Sequence, residues 1–404
     1  MDLTFTPEQD ALRAEIRQWL AANVPAEKLP SLDTKVGFAL HREWERKLHD
    51  AGWGVVNWPK EYGGQGAGVM EWLIFEEEYW RAGAPLRVNQ NGIFLLAPSL
   101  MHFGTPEQKA RFLPPMATGE HIWAQGWSEP GAGSDMAAIR STAILDGDHY
   151  VINGQKIWSS RAVFADWLFG LFRSNPDEKR HRGLTFILVP LDAPGVTVRP
   201  IAQLDGETGF AEVFFDDVRV PAANRIGEEN GGWPLARTSL GHERAAGALN
   251  QAAMYRRVLT ELEELARERG QLADPLVRDR LVDLEIRVRI IRYNAKRTIG
   301  DILAKGDAGA ASSVSRLLIT AFEQDIHEFA VDMLGPAGLL GKTAPQAVQR
   351  SRWLIGFLRT RASTIGAGTR EIQLNTVAEQ VLGLPRDPGM PARLPARPGD
   401  ADAL

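Results

Sequence analysis

The feature that most restricts the fold is a double change of hydrophobic period. Up to about His121 the apolar residues recur at helical spacing. From Ile122 to about Gly232 they alternate as strands do, and from Trp233 the helical spacing returns. A chain of 404 residues is too long for one ordinary core, so each stretch is expected to build its own. The pattern predicts an α+β multidomain fold: an N-terminal α-helical domain over 1–121, a central antiparallel β barrel or sandwich over 122–232, a C-terminal four-helix bundle over 233–384, and a loose tail over 385–404.

Local signals agree. Thr6-Pro7-Glu8-Gln9 and Thr105-Pro106-Glu107-Gln108 read as helix starts, with a cap hydroxyl, proline at the first position and an acid in the first turn. Leu12, Ile16, Trp19 and Leu20 fall on one helical face. Phe38, Trp44 and Leu48 mark a second helix that stops near Ala51-Gly52. Strands are expected over 122–129, 141–145, 150–152, 156–160, 167–173, 184–190, 196–201 and 212–220, with Asp146-Gly147-Asp148 closing a hairpin. Long helices are expected over 235–269, 275–305, 308–334 and 345–361, then a short one over 369–381. The tail carries five prolines and little apolar content.

Composition narrows the chemistry. A net charge of −5 gives no electrostatic case for a nucleic-acid partner. The absence of cysteine removes disulfides, thiolate catalysis and Cys-based metal sites. The eight histidines show no metal-ligand spacing, so no metal is expected. No apolar run reaches membrane-spanning length and no leader pattern opens the chain, which predicts a cytoplasmic protein with no membrane partner.

The most suggestive stretch is Trp127-Ser128-Glu129-Pro130-Gly131-Ala132-Gly133-Ser134-Asp135, following the alternating run that contains Gln125. Glycines let backbone N–H groups approach a ligand closely, and successive N–H groups in such a turn form an anion-binding nest. Trp127 and Ser128 could offer an apolar face and a polar contact to a flat ring. An ordinary Gly/Pro turn explains this stretch equally well.

With its order of domains, the chain resembles the acyl-CoA dehydrogenase family over residues 3 to about 384. The resemblance rests on Leu113-Pro114-Pro115-Met116-Ala117-Thr118-Gly119-Glu120, on Ser128 to Asp135, on Asn153-Gly154-Gln155-Lys156-Ile157-Trp158-Ser159-Ser160, and on Phe214-Phe215-Asp216-Asp217-Val218-Arg219-Val220-Pro221. Within the family it is similar to the actinobacterial steroid side-chain enzymes. It implies FAD between the β domain and the bundle, with the pyrophosphate reaching a neighbouring subunit. By position it implies Gln125, Trp127 and Ser128 beside the isoalloxazine, Gly133 in the flavin turn, and Trp158 and Ser160 closing the other side. Ser134 would contact both cofactor and the CoA portion of the thioester. Core packing is the alternative for both tryptophans, and a strand-end hydroxyl for both serines. More distant FAD contacts fall on Arg269, Arg280, Thr369 and Glu371. The distal motifs are worn: after Arg269, Gly270-Gln271-Leu272-Ala273 stands for Lys-Thr-Phe-Gly, Arg280 stands where a glutamine is common, and Asp332-Met333-Leu334-Gly335-Pro336 replaces Gln-x-x-Gly-Gly. Solvated charges, or a helix cap and first-turn acid, account for these four residues otherwise.

The reaction the family implies removes a proton from the α carbon of an acyl-CoA thioester while hydride leaves the β carbon. It needs a partly desolvated carboxylate and hydrogen-bond donors at the thioester oxygen. Most members place the base in a Tyr-Glu-Gly-Thr stretch, but here Ile365-Gly366-Ala367-Gly368-Thr369 has alanine at that position. Isovaleryl and long-chain types carry the base on the first bundle helix, where this chain has Gly241-His242-Glu243-Arg244. The resemblance therefore implies Glu243 as the catalytic base, with Arg244, Gly368 and Ser134 toward the substrate. A helix-start charge pair is the alternative for Glu243 and Arg244. Expected partners are an acyl-CoA, an electron-transfer flavoprotein, and further subunits in a homodimer, a homotetramer, or a heterotetramer with a paralogous chain. Two other readings stay open: a non-catalytic or half-site subunit of a heteromeric enzyme, and a flavin oxidase or monooxygenase on the same scaffold.

Overall fold

The structure, a computed structural model, describes residues 4–306 and 308–386, apart from the side chains of 242–246, 248 and 249. The expected tail lies almost wholly outside the described residues. Both Thr-Pro-Glu-Gln signals start helices: α1 (Pro7–Asn23) and α5 (Pro106–Ala117) open on complete capping boxes, the threonine hydroxyl accepting from the glutamine N–H and the glutamine side chain returning to the cap. Between them lie α2 (Lys35–Asp50), α3 (Val69–Arg81) and α4 (Ala97–Phe103), the last preceded by a wide π-type turn over Asn91–Leu96.

The middle of the chain forms one eight-stranded sheet from β1 (Trp123–Gly126), β2 (Thr142–Asp146), β3 (His149–Ser160), β4 (Trp167–Arg173), β5 (Leu184–Pro190), β6 (Val196–Ile201), β7 (Phe210–Pro221) and β8 (Arg225–Ile226). The expectation of a purely antiparallel domain is corrected: β1 runs parallel to β4 throughout, and β2 meets β4 in parallel at Thr142 and Arg173. Two expected strands merge into β3, because Gly154 (φ 135°) carries the chain through a bulge instead of ending the ladder. Glycine is required at that bulge, since a Cβ would sit 2.4 Å from Ser141 Oγ.

The C-terminal region contains α6 (Gly232–Glu268), α7 (Pro275–Lys305), α8 (Ser312–Leu334), α9 (Arg352–Thr360) and α10 (Arg370–Thr376). Its fourth helix is much shorter than the pattern predicted. Gln349, Arg350 and Ser351 all take left-handed backbone angles (φ 47°, 54° and 62°), so helix cannot propagate through them and α9 starts only at Arg352. A buried apolar cluster with Leu259, Leu284, Phe322 and Trp353 joins α6, α7, α8 and α9. Buried Asp33 ties the three regions together, accepting from Arg161 at the end of β3 (3.0 Å) and from Arg359 on α9.

Candidate active site

β1 delivers the chain into the glycine turn, and the turn closes on itself. Glu129 N–H donates to Ala132 O and Ala132 N–H to Glu129 O, both at 3.0 Å, leaving Pro130-Gly131 as the link. Ile157 N–H donates to Ser128 O at 2.9 Å, which brings the two flavin-like motifs side by side. Neither Gly131 nor Gly133 has a positive φ, and a Cβ at either would meet nothing within 4 Å. The fold alone does not require glycine at these positions, and both open onto free space. A cavity of about 410 Å³ lies beside the turn, with Pro130, Gly131, Arg140 and Gln155 among its walls.

What fixes the turn is a residue whose role the sequence reading missed. Lys156, fully buried on β3, donates to Leu171 O at 2.7 Å, Glu129 Oε1 at 2.9 Å and Trp127 O at 3.4 Å. Glu129 also accepts from Arg140 N–H (2.6 Å) and Ser141 N–H (3.0 Å). A signal was present: alternation along β3 puts Lys156 in phase with buried Tyr150 and Ile152, and an inward lysine demands a buried acid. Burial draws the Lys156 ammonium down to about 8 against the pull of Glu129. Burial would raise the Glu129 carboxyl, but Lys156 and the two N–H donors outweigh it and hold the group below its ordinary value. A carboxyl lowered by folding stabilises the fold fully above its ordinary value of 4.5, and that contribution drains away as pH falls through the lower folded value. Denaturant midpoints of the wild-type protein should therefore fall more steeply below about pH 4.5 than those of Glu129→Gln. Parallel acid limbs would contradict the assignment.

The two tryptophans part company. Trp127 is 7% exposed, its ring edge-on to Phe169 and Phe186 at 5.5 Å each, so its side chain is a core residue. Trp158 is 54% exposed and sits at φ 61° where β3 shifts register against β7. Left-handed backbone in a bulky residue is strained, and here it turns an indole outward beside Phe210. Nearby, Gln125 Nε2 and Trp127 Nε1 are buried without a hydrogen-bond partner. Ser128 and Ser160 are partly exposed on the adjoining strand ends, and Ser134 is exposed. Orphaned donors on one segment and an uncovered indole on the segment bonded to it are features that a flat, acceptor-bearing ring such as a flavin would satisfy.

The remaining expected residues are more scattered. Arg269 caps the far end of α6, a 37-residue helix whose rise puts it roughly 50 Å from the sheet. Arg280 is partly engaged by Asp283 at 3.7 Å and lies over Phe329 at 5.7 Å. Neither arginine joins the Trp127 turn of its own chain. Thr369 caps α10, accepting from Ile372 N–H at 3.2 Å, with Glu371 in the first turn, and Gly368 precedes them at φ 86°.

Glu243 and Arg244 lie on α6, and their side chains are outside the described residues. The helix that carries them is firmly held. Gly232 is wedged into the sheet, where a Cβ would come within 2.8 Å of Phe186 N. Ser99 on α4 donates to Leu235 O at 3.1 Å and bonds Ser239 Oγ at 2.8 Å, with both serines buried. Ser239 precedes Glu243 by about one turn of α6. Among the described residues no group of three or more metal-ligating side chains occurs, and no helix is long and apolar enough to cross a membrane.

Comparison with known proteins places this arrangement. Residues 6–120, 124–218 and 230–382 match the N-terminal, middle and C-terminal domain models of acyl-CoA dehydrogenases. The chain is 42% identical over 384 residues to acyl-CoA dehydrogenase IpdE1 of Mycobacterium tuberculosis, covering 94% of this chain and 98% of that one. It is 36% identical to acyl-CoA dehydrogenase FadE26 of the same organism, covering 96% and 99%. Among solved structures it resembles a chain of the Tcur3481-Tcur3483 steroid ACAD (TM-score 0.86, 32% identity, 96% and 100% covered). A chain of the ChsE4-ChsE5 complex from Mycobacterium tuberculosis is also similar (TM-score 0.81, 35% identity, 96% and 100% covered).

Proposed function

Because the chain belongs to the acyl-CoA dehydrogenase family, oxidoreductases acting on CH–CH groups, we propose that it binds FAD and desaturates an acyl-CoA thioester between its α and β carbons. The observation that carries the reading is that orphaned Gln125 Nε2 and Trp127 Nε1 and the outward, strained Trp158 lie on neighbouring segments joined by the Ile157 N–H to Ser128 O bond. Gln125, Ser128, Trp158 and Ser160 would hold the ring, and Gly133 and Ser134 would take the adjoining cofactor and thioester groups. When bound, the flavin supplies an acceptor for the β hydride.

Glu243 takes the α proton. The usual position, Ala367, has no group able to do so, and a small side chain there leaves room for a carboxylate from α6. Arg244 orients that carboxylate or the substrate, and Gly368 lines the thioester channel. The substrate class is a bulky or steroid-derived thioester, in line with the named steroid relative. Electrons pass on to an electron-transfer flavoprotein, and the setting is the cytoplasm.

Arg269, Arg280, Thr369 and Glu371 would serve the distal part of a cofactor shared between subunits. The length of α6 supports this, since Arg269 lies far from its own chain's turn. The outer face of α7 exposes Val282, Ile286, Ile290 and Tyr293 at helical spacing, an apolar stripe that a further subunit would cover. The worn Arg269 motif favours a paralogous partner over a second identical copy as the chain that completes the site. Purified with such a partner, whether or not the chain alone retains cofactor, the protein should be yellow, and its flavin band should bleach when acyl-CoAs are added anaerobically. A colourless complex would refute the reading. A yellow protein that no thioester bleaches would favour the non-catalytic subunit.

A further inference from the structure

The segment joining α9 to α10 has lost its carboxylate, yet it is held with unusual care. Arg316, on α8, donates through Nη2 to Ser363 O at 3.0 Å and to Gly366 O at 2.9 Å. Two turns along the same face of α8, Gln324 Nε2 donates to Thr360 O at 3.0 Å, and between them Thr320 bonds back to Arg316 O. Arg370 N–H closes the segment on Thr364 O at 3.0 Å. The chain then passes through two consecutive left-handed residues, Ala367 (φ 51°) and Gly368 (φ 86°). For alanine that conformation is costly and persists only where its surroundings impose it.

The consequence lies in one peptide plane. In a trans peptide the C=O and the following N–H point in opposite directions, and no cis bond occurs among the described residues. Gripping Gly366 O from the α8 side therefore aims the Ala367 N–H away from α8. Among the described residues that N–H has no hydrogen-bond partner. The bond to Gly366 O comes from a permanently charged donor, which polarises the peptide and makes its N–H a stronger donor in turn.

We infer that Arg316 is a positioning residue: it aims and polarises the Ala367 N–H toward the thioester oxygen, so that enolate charge is met by a pre-set donor. This rests on the proposed thioester chemistry and deepens it. A segment that merely needed closing would be served by uncharged bonds such as that of Gln324. Of the two carbonyls that Arg316 holds, Gly366 O belongs to the peptide whose N–H is left unpartnered, so the guanidinium adds charge where the proposed reaction develops it.

The test uses the holoprotein with its partner subunit and an acyl-CoA bearing a quaternary α carbon, which has no α proton to lose. The infrared carbonyl stretch of the bound thioester is compared in wild type, Arg316→Lys, Arg316→Met and Glu243→Gln. Wild type and Glu243→Gln should show the same downshift from the free thioester. Arg316→Met should lose at least half of it, and Arg316→Lys should keep most. With an oxidisable thioester, Arg316→Met should lose about 30-fold in kcat with KM changed less than about threefold, within the range for one oxyanion donor made weaker. If Arg316→Met does not fold, a Lys variant with full downshift and kcat within about threefold supports the inference. A downshift unchanged in Arg316→Met, or lost equally in Arg316→Lys, would overturn it. Full activity of Glu243→Gln would overturn the base assignment alone, because the stretch is read without proton removal.

Discussion

Glu243→Gln should keep its bound flavin and lose about a thousandfold in kcat, within the usual range for removing a general base. The amide matches the carboxylate in size, so packing along α6 should survive, but it takes no proton near neutral pH. The effect is expected to be this large because the position that serves most of the family holds Ala367. No second carboxylate there shares the task. Thermal midpoint and flavin content per subunit should stay at wild-type values, separating a chemical loss from a structural one. Turnover within about tenfold of wild type would remove Glu243 from the mechanism.

Lys156→Met should cost about 3–5 kcal/mol, the loss expected when one member of a buried ion pair is removed and the other is left charged. Methionine fills a similar volume, so the loss should come from Glu129, stranded with a negative charge and only its two N–H donors. The same substitution frees Trp127 O and Leu171 O. The turn presenting Ser128 to Ser134 should loosen, and flavin should leave on gel filtration. Adding Glu129→Gln should restore part of the stability, because the uncompensated charge is then gone. Denaturant midpoints and flavin content decide the matter. A single variant within about 1 kcal/mol of wild type would show that the pair is not the anchor described.

How far the sequence could be read depended on whether a signal was local. The helix starts at Thr6 and Thr105 and the Gly147 hairpin are written within a few residues of themselves, and each appears where expected. The parallel partner of β1 is not local. Trp123 to Gly126 pair with Trp167 to Gly170, more than forty residues on, and alternation carries no information about direction. The shortened α9 failed for another reason: three successive left-handed residues override a helical pattern that extends through them.

The site divides in the same way. The glycine turn follows from a motif read along the chain, whereas the continuous, bulged β3 does not, because two separate strands were expected there. That Trp127 packs into the core while Trp158 does not depends on which face of the sheet each strand buries, and only the assembled sheet decides it. Lys156 and Arg316 act on carbonyls distant in sequence, where side-chain type alone gives no clue to the acceptor.

Exchange at the α carbon tests the central claim most directly. In deuterated water, an acyl-CoA blocked at the β carbon has no hydride to give, so any solvent deuterium it acquires at the α carbon reports the base alone. The account predicts wash-in catalysed by the wild-type holoprotein and reduced to background in Glu243→Gln. Equal wash-in by both proteins would contradict it.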